Sequence, residues 1–172
     1  MRKLLASTAV ILGLAGYTGQ AQAAAIDVVV VVDESGSMSG EHGWIDDMIT
    51  ALDAALGSLS ITGNYALVGF GNGQGGGNNS GRTLTDFTTA AGFATATTNL
   101  VLTGGTEDGY AGIDYAFNNL TFGGGGATAS NVILVTDEDR DNTNGALTFA
   151  SILAQLTSNN ALLNAVVLNS FT

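Results

Sequence analysis

Residues 28–40 read VVVVVDESGSMSG, and the rest of the chain is understood from them. Val28–Val32 is an unbroken β-branched run with no polar alternation, the pattern of a strand covered on both faces in a parallel sheet flanked by helices. It runs directly into Asp33, Ser35 and Ser37, with Gly36 between the serines to permit a tight bend. Small oxygen-bearing side chains at a strand tip either cap a turn, since Asp and Ser bond nearby backbone amides, or build a site.

Outward from this strand the hydrophobic pattern alternates between helical and extended periods. Trp44–Leu56 places Ile45, Met48, Ile49, Leu52 and Leu56 on one helical face and Asp46, Asp47 and Asp53 on the other. Tyr65–Phe70 reads as a second strand, Gly71–Gly81 as a Gly/Asn-rich loop, and the alternating Arg82–Phe87 as an edge strand. A short helical piece near Gly92–Asn99 precedes a clearer helix over Glu107–Leu120. In that helix Tyr110, Ile113, Phe117 and Leu120 share a face, and Glu107 and Asp108 suit the positive N-terminal end. Gly123–Gly126 breaks it. Val132–Val135 is another apolar strand, stopped by Thr136 and Asp137; Ala146–Leu156 is helical, and Leu162–Leu168 is the last strand. Strands alternating with helices of these lengths predict an α/β fold: a Rossmann-like, open, mostly parallel sheet with helices on both faces, right-handed crossovers and one antiparallel edge strand. A wholly apolar last strand belongs inside a sheet, because an unpaired edge invites aggregation. A further helix and strand are therefore expected beyond Thr172, which makes the domain C-terminally truncated.

The first 23 residues stand apart. Arg2 and Lys3 begin them, an apolar stretch runs from Leu4 to Ala15, and Ala21-Gln22-Ala23 is a small-x-small cleavage pattern. This is the layout of a secretory signal peptide, residues 1–23. The apolar run is shorter than the roughly 20 residues needed to span a bilayer, and no other run is long enough, so the mature chain carries no transmembrane segment. Residues 24–172 then form one domain of ordinary size, exported to the periplasm, the cell surface or the medium. Beyond residue 23 only Arg82 and Arg140 stand against all 15 acidic residues, a formal charge of about −13. That charge excludes nucleic acid as a partner and disfavours anionic membranes. A cation is its natural complement. The absence of Cys excludes thiol chemistry and Cys-based zinc sites, and His42, the only histidine, excludes His-rich ones.

In an open parallel sheet, sites form beyond the carboxyl ends of the strands where the strand order reverses. Asp33 ends the first strand and Asp137 follows Val132–Val135. If those strands are neighbours their backbones lie about 4.8 Å apart, and two carboxylates that close repel unless a cation or proton separates them. With Ser35 and Ser37 the donors are all hard oxygens, which favour Mg²⁺, Mn²⁺ or Ca²⁺.

Other signals are weaker. Asp137, Asp139 and Asp141 repeat as in a calcium loop, but Asn142 and Thr148 stand where an EF-hand needs Gly and Glu, so a solvated acidic loop is the plainer reading. Gly71, Gly73 and Gly76 satisfy a dinucleotide-type glycine spacing without the helix that must follow. Met38 stands where a nucleophile elbow needs Ser, and His42, which could serve Ser37 or Ser39, reads as solvated for want of an oriented triad. Asn78-Asn79-Ser80 and Asn119-Leu120-Thr121 fit the glycosylation sequon, a match frequent by chance.

DESGS at residues 33–37 resembles the Asp-x-Ser-x-Ser motif of von Willebrand factor type A domains. Two further pieces are similar to that family in the same order: TGGTEDGYAGIDYA at residues 103–116, with Thr106 before a helix, and ILVTDE at residues 133–138, with Asp137 closing a strand. The resemblance covers about residues 25–172 and implies a metal-ion-dependent adhesion site made of Asp33, Ser35, Ser37, Thr106 and Asp137. It implies direct ligation by the Ser35 and Ser37 hydroxyls, with Thr106 bound directly or through water and Asp33 and Asp137 acting largely through water. The site would hold Mg²⁺, with Mn²⁺ or Ca²⁺ as alternatives, and keep one position open for an acidic side chain of a protein or extracellular-matrix ligand. Glu138 replaces the family's usual Gly after Thr-Asp and adds an acid beside the ligand position. The function so implied is cation-dependent adhesion or protein–protein interaction without enzymatic turnover. The alternatives are a metal-assisted hydrolase using the same oxygens and a module in which the ion only secures the fold.

Overall fold

The computed structural model describes residues 24–72 and 81–167. The expected signal peptide, the middle of the glycine-rich loop with Gly73, Gly76 and the first sequon, and Leu168 lie outside them. Five strands form one sheet: β1 (Ala24–Asp33), β2 (Ile61–Phe70), β3 (Arg82–Thr88), β4 (Ala127–Thr136) and β5 (Ala161–Val167). Their order is β3-β2-β1-β4-β5, all parallel except β3, which pairs antiparallel with β2 at the edge. The α/β architecture expected from the sequence is therefore the one observed.

β1 is central because its side chains are apolar on both faces. Val28, Val30 and Val32 point into one core with Ile45, Ile49, Tyr65, Leu67 and Phe93. Val29 and Val31 point into the other with Val68, Phe70, Ile113, Ile152 and Leu156. Helices α2 (Ile45–Ser58) and α3 (Ala90–Thr97) cover the first face; α4 (Gly109–Asn119) and α5 (Phe149–Ser158) cover the second. The short helix α1 (Ser39–His42) follows the DESGS loop, whose Met38 is fully buried in the first core and fixes that loop from below.

Two sequence expectations change in detail. The strands extend past their apolar cores, so that β1 runs ten residues and not five, because the ladder hydrogen bonds continue where the apolar run stops. The last helix begins at Phe149, where the Thr148 hydroxyl and Ser151 form a reciprocal capping box, and not at Ala146. Among the described residues β5 lies at the sheet edge, with Leu162 71 % and Val167 57 % exposed. No helix among the described residues is long and apolar enough to cross a membrane.

Phe93 is fully buried and meets the Tyr65 ring edge-on, at 6.4 Å between centroids and 70° between planes. Phe93→Ala should lower unfolding stability by about 3–5 kcal/mol, the usual cost of emptying an aromatic core position. Urea denaturation followed by far-UV circular dichroism measures it; a loss under about 1 kcal/mol would show that α3 packs loosely on the sheet.

Candidate metal centre

The sheet order reverses at β1, since β2 and β3 follow on one side and β4 and β5 on the other. The crevice beyond the tips of β1 and β4 is thus the place where such a fold accommodates ligands. Asp33 sits there with no solvent exposure. Its Oδ1 accepts a hydrogen bond from the Ser35 N–H at 2.8 Å, and its Oδ2 accepts one from the Thr136 hydroxyl at 2.9 Å. His42, read from the sequence as solvated, donates from Nε2 to the Asp33 carbonyl at 2.7 Å. A carbonyl can only accept, so this bond fixes the tautomer.

Ser35 is buried and Ser37 exposed, with their hydroxyl oxygens 3.0 Å apart. Two oxygens on neighbouring corners of an octahedron with bonds of about 2.1 Å stand about 3.0 Å apart, so this spacing suits two ligands of one small hard cation. The loop carrying Thr106 is drawn against the same tip. Thr103 and Gly104 donate their N–H groups to the Glu34 carbonyl, and Gly36 donates to the Gly104 carbonyl. Gly71, at φ +82°, leaves room beside Asp33 Oδ1 and the Thr106 carbonyl, which a Cβ there would meet at 2.9 and 3.1 Å. Gly104 is more tightly placed: a Cβ would stand 1.5 Å from the Gly71 carbonyl oxygen, a backbone collision that no side-chain shift relieves.

The third segment is the loop after β4. Asp137 is buried, whereas Glu138 and Asp139 are exposed at the rim. One carboxylate oxygen from each of Asp33, Glu107 and Asp137 lies within 4.8 Å of the other two. Asp137 Oδ1 and Glu107 Oε2 are buried without a hydrogen-bond partner. The sequence reading placed both Glu107 and Asp108 at the N-terminus of a helix; the structure gives that role to Asp108. Asp108 caps α4 through the Tyr110 and Ala111 N–H groups and binds Arg140, whose guanidinium also lies 4.3 Å over the Tyr110 ring. No periodicity signals which of two adjacent acids turns inward, so the sequence could not have shown it.

The electrostatics follow from this packing. Burial, reinforced by the charge of Asp33, raises the Glu107 pKa from 4.5 to about 7, against a downward pull from the Ser35 hydroxyl. Burial also raises Asp33, although its bonds from Ser35 and Thr136 oppose the shift and Asp137 adds to it. Asp108 is buried too, but Arg140, the Asn144 N–H and Thr143 outweigh the burial and hold it below its ordinary value. The other arginine, Arg82, pairs with the fully buried Glu34, which also accepts from Asn72 and from the Val101 N–H. Both arginines beyond residue 3 are therefore committed elsewhere, and lysine is absent there. The cluster of Asp33, Glu107 and Asp137 has no cationic side chain of its own.

A cavity of about 140 Å³ adjoins the cluster, lined by Glu107, Tyr110, Leu134, Thr136, Arg140 and Val167 among others. A larger one, about 360 Å³, lies at the opposite end of the sheet around Ile26, Ala129, Ser130 and Asn160, and no charged side chain lines it.

The sequence profile of the von Willebrand factor type A domain matches residues 27–167, from β1 to the end of β5. The chain belongs to this family. Solved structures share the fold at low identity. The SpRpn10 VWA domain has a TM-score of 0.62 at 15 % identity, covering 82 % of this chain and 74 % of that one. Proximal thread matrix protein 1 from the mussel byssus, with a zinc-occupied MIDAS motif, gives 0.60 at 16 %, covering 84 % and 36 %. The vWF domain of the type V pili tip protein Mfa5 from Porphyromonas gingivalis gives 0.51 at 22 %, covering 69 % and 39 %. The chain thus spans little more than a third of the mussel and pilus chains. A search of curated proteins gives no match.

Two outcomes test the geometry of this A domain. Gly104→Ala should separate the Thr106 loop from β2 and destabilise the protein by more than about 1 kcal/mol, as a forced backbone shift does; an unchanged urea midpoint would contradict the close approach. The second is a pH dependence. Glu107 has its pKa raised on folding, so the stability that its protonated form contributes is complete below about 4.5 and lost as pH rises through about 7. Metal-free protein should therefore lose urea resistance between about pH 5 and pH 8, and Glu107→Gln should flatten that loss; equal slopes in both proteins would count against a buried Glu107.

Proposed function

We propose that the domain binds one divalent cation at the β1–β4 tip and through it captures an acidic side chain of a protein or matrix ligand. The carrying observation is the pair of buried, unpartnered oxygens, Glu107 Oε2 and Asp137 Oδ1, beside the carboxylate of Asp33. An unsatisfied buried carboxylate oxygen is costly, and two of them beside a third buried carboxylate call for a compensating charge that this chain's own side chains do not supply. The donors are hard oxygens throughout, so the fit is to Mg²⁺, Mn²⁺ or Ca²⁺. Ser35 and Ser37 would hold the ion through their hydroxyls, joined by Thr106, with Asp33 and Asp137 neutralising it. When bound, the ion supplies an oxygen-seeking centre that accepts a partner's carboxylate. The exposed residue Ser37 marks the side open to solvent.

This is a binding role without turnover. His42 donates to the Asp33 carbonyl and the Ser37 hydroxyl is paired with that of Ser35, and among the described residues no hydrogen bond joins His42 to Ser37, which supports that reading. Export supports it from a second direction. Residues 1–23 carry the signal-peptide pattern, and similar folds occur in the pilus tip protein and in the pilus adhesin SpaC from Lactobacillus rhamnosus GG, at a TM-score of 0.52 and 21 % identity over 68 % of this chain and 16 % of that one. The site of action is accordingly the periplasm, the cell surface or the medium.

Titration of the metal-free domain with Mg²⁺ and Mn²⁺ should show one saturable site. Asp33→Ala should weaken it by at least about 100-fold, beyond the 10–100-fold typical of outer-shell partners, with the far-UV spectrum retained. Calorimetry without saturable heat at millimolar cation would refute the proposal, and collapse of the Asp33→Ala fold would make Asp33 a structural cap. Once a ligand is in hand, chelator should abolish its capture and Thr106→Ala should weaken it; capture that survives chelator would reduce the ion to a structural role.

A further inference from the structure

Glu107 is held in an unusual way. Its N–H donates to the Asp141 carboxylate at 2.7 Å, and its carbonyl accepts from the Asp141 N–H at 3.0 Å. The peptide is thereby clamped to the loop after β4, while Asp108 takes over the capping of α4. The side chain of Glu107 has no remaining role in that helix terminus and turns inward, with only 6 % of the residue exposed. Its Oε2 is buried and unpartnered, and one of its carboxylate oxygens lies within 4.8 Å of an oxygen of Asp33 and one of Asp137. That span is what two metal–oxygen bonds of about 2.4 Å on opposite sides of one ion would cover.

We infer that Glu107 is itself a ligand of the cation, an internal carboxylate that occupies the position otherwise open to a partner's acid. The inference rests on the proposal that this cluster binds a divalent ion, and it changes how the site works. Asp33 and Asp137 already balance a divalent charge formally, and a third carboxylate leaves the loaded site net negative. The ion is then held more tightly but attracts an incoming acid less. A partner's carboxylate must displace Glu107, so the domain is self-occluded, and capture is an exchange of one carboxylate for another at the same ion. Clamping by Asp141 places that exchange under the control of the loop after β4.

Mn²⁺ serves as ion and reporter, with inner-sphere water counted by water-proton relaxation and affinity measured by calorimetry, on the whole chain beyond residue 23. Wild type should bind Mn²⁺ with few inner-sphere waters and take up acetate weakly. Glu107→Gln should bind Mn²⁺ about tenfold or more weakly, since affinity in oxygen sites follows the number of charged ligands, and should gain one inner-sphere water. Glu107→Ala should behave alike, and added acetate should restore its Mn²⁺ affinity while removing the extra water, a rescue that a merely structural glutamate would not allow. Unchanged affinity and hydration in both variants would overturn the inference while leaving the cation site standing. Absence of saturable Mn²⁺ uptake by wild type would overturn both.

Discussion

A carboxylate withdrawn from water must find its donors inside the fold, and Asp33 finds them on separate segments. One oxygen takes the N–H of Ser35 from its own loop, the other the hydroxyl of Thr136 at the end of β4, and the residue's carbonyl takes the ring of His42 from α1. The Thr136 contact exists only because β1 lies beside β4 in the observed register, where Val32 is opposite Val135. The register in turn depends on the apolar faces of β1, because a slip by one residue would exchange the two cores. The packing of five valines therefore sets the position of one carboxylate, and that carboxylate organises the tip.

The two buried acids at residues 33 and 34 show that the chain treats such groups in different ways. Glu34 points to the side of β3 and is saturated by Arg82, Asn72 and the Val101 N–H. Its backbone holds Phe70, Thr103 and Gly104, so one residue ties the first two strand tips and the Thr106 loop together. Asp108 is treated similarly, with Arg140, Thr143 and the Asn144 N–H around it. Breaking such pairs is costly because a buried charge is left without a partner. With both arginines used in these structural pairs, the orphaned oxygens of Glu107 and Asp137 have no cationic partner within the chain. In the proposed function that partner is a cation from outside it.

What could be read from the sequence was what short-range pattern encodes. The valine run, the helical spacing of Ile45 to Leu56 and the alternation after Arg82 set the element order, and the parallel sheet with its antiparallel edge followed from them. Asp33, Ser35 and Asp137 could be singled out because they follow apolar strands directly, and the structure does bring them to one tip. The acidic repeat at residues 137–141 is less solvated than its composition suggested, since Asp137 is buried and Asp141 clamps the Glu107 peptide. What could not be read depends on contacts between distant segments. The pairing of Arg82 with Glu34 spans 48 residues and leaves no local mark. Likewise, which of Glu107 and Asp108 caps α4 is decided by Arg140 and Asp141, more than 30 residues on, and not by helix propensity.

The proposed function sets a strongly acidic molecule against an acidic ligand. Beyond residue 23 the formal charge of about −13 repels a carboxylate, but beyond the Debye length of about 8 Å at physiological salt that repulsion is largely screened. Glu138 and Asp139 stand exposed at the rim, nearer than that, and their repulsion is not removed by salt. Only direct contact with an ion at about 2.1–2.4 Å is short enough to exceed it. A site of the proposed kind would reject a carboxylate that approaches without reaching the ion and accept one that replaces an internal acid there. An acid-rich rim around a cation thus selects for reach and geometry in the ligand, and not for charge alone.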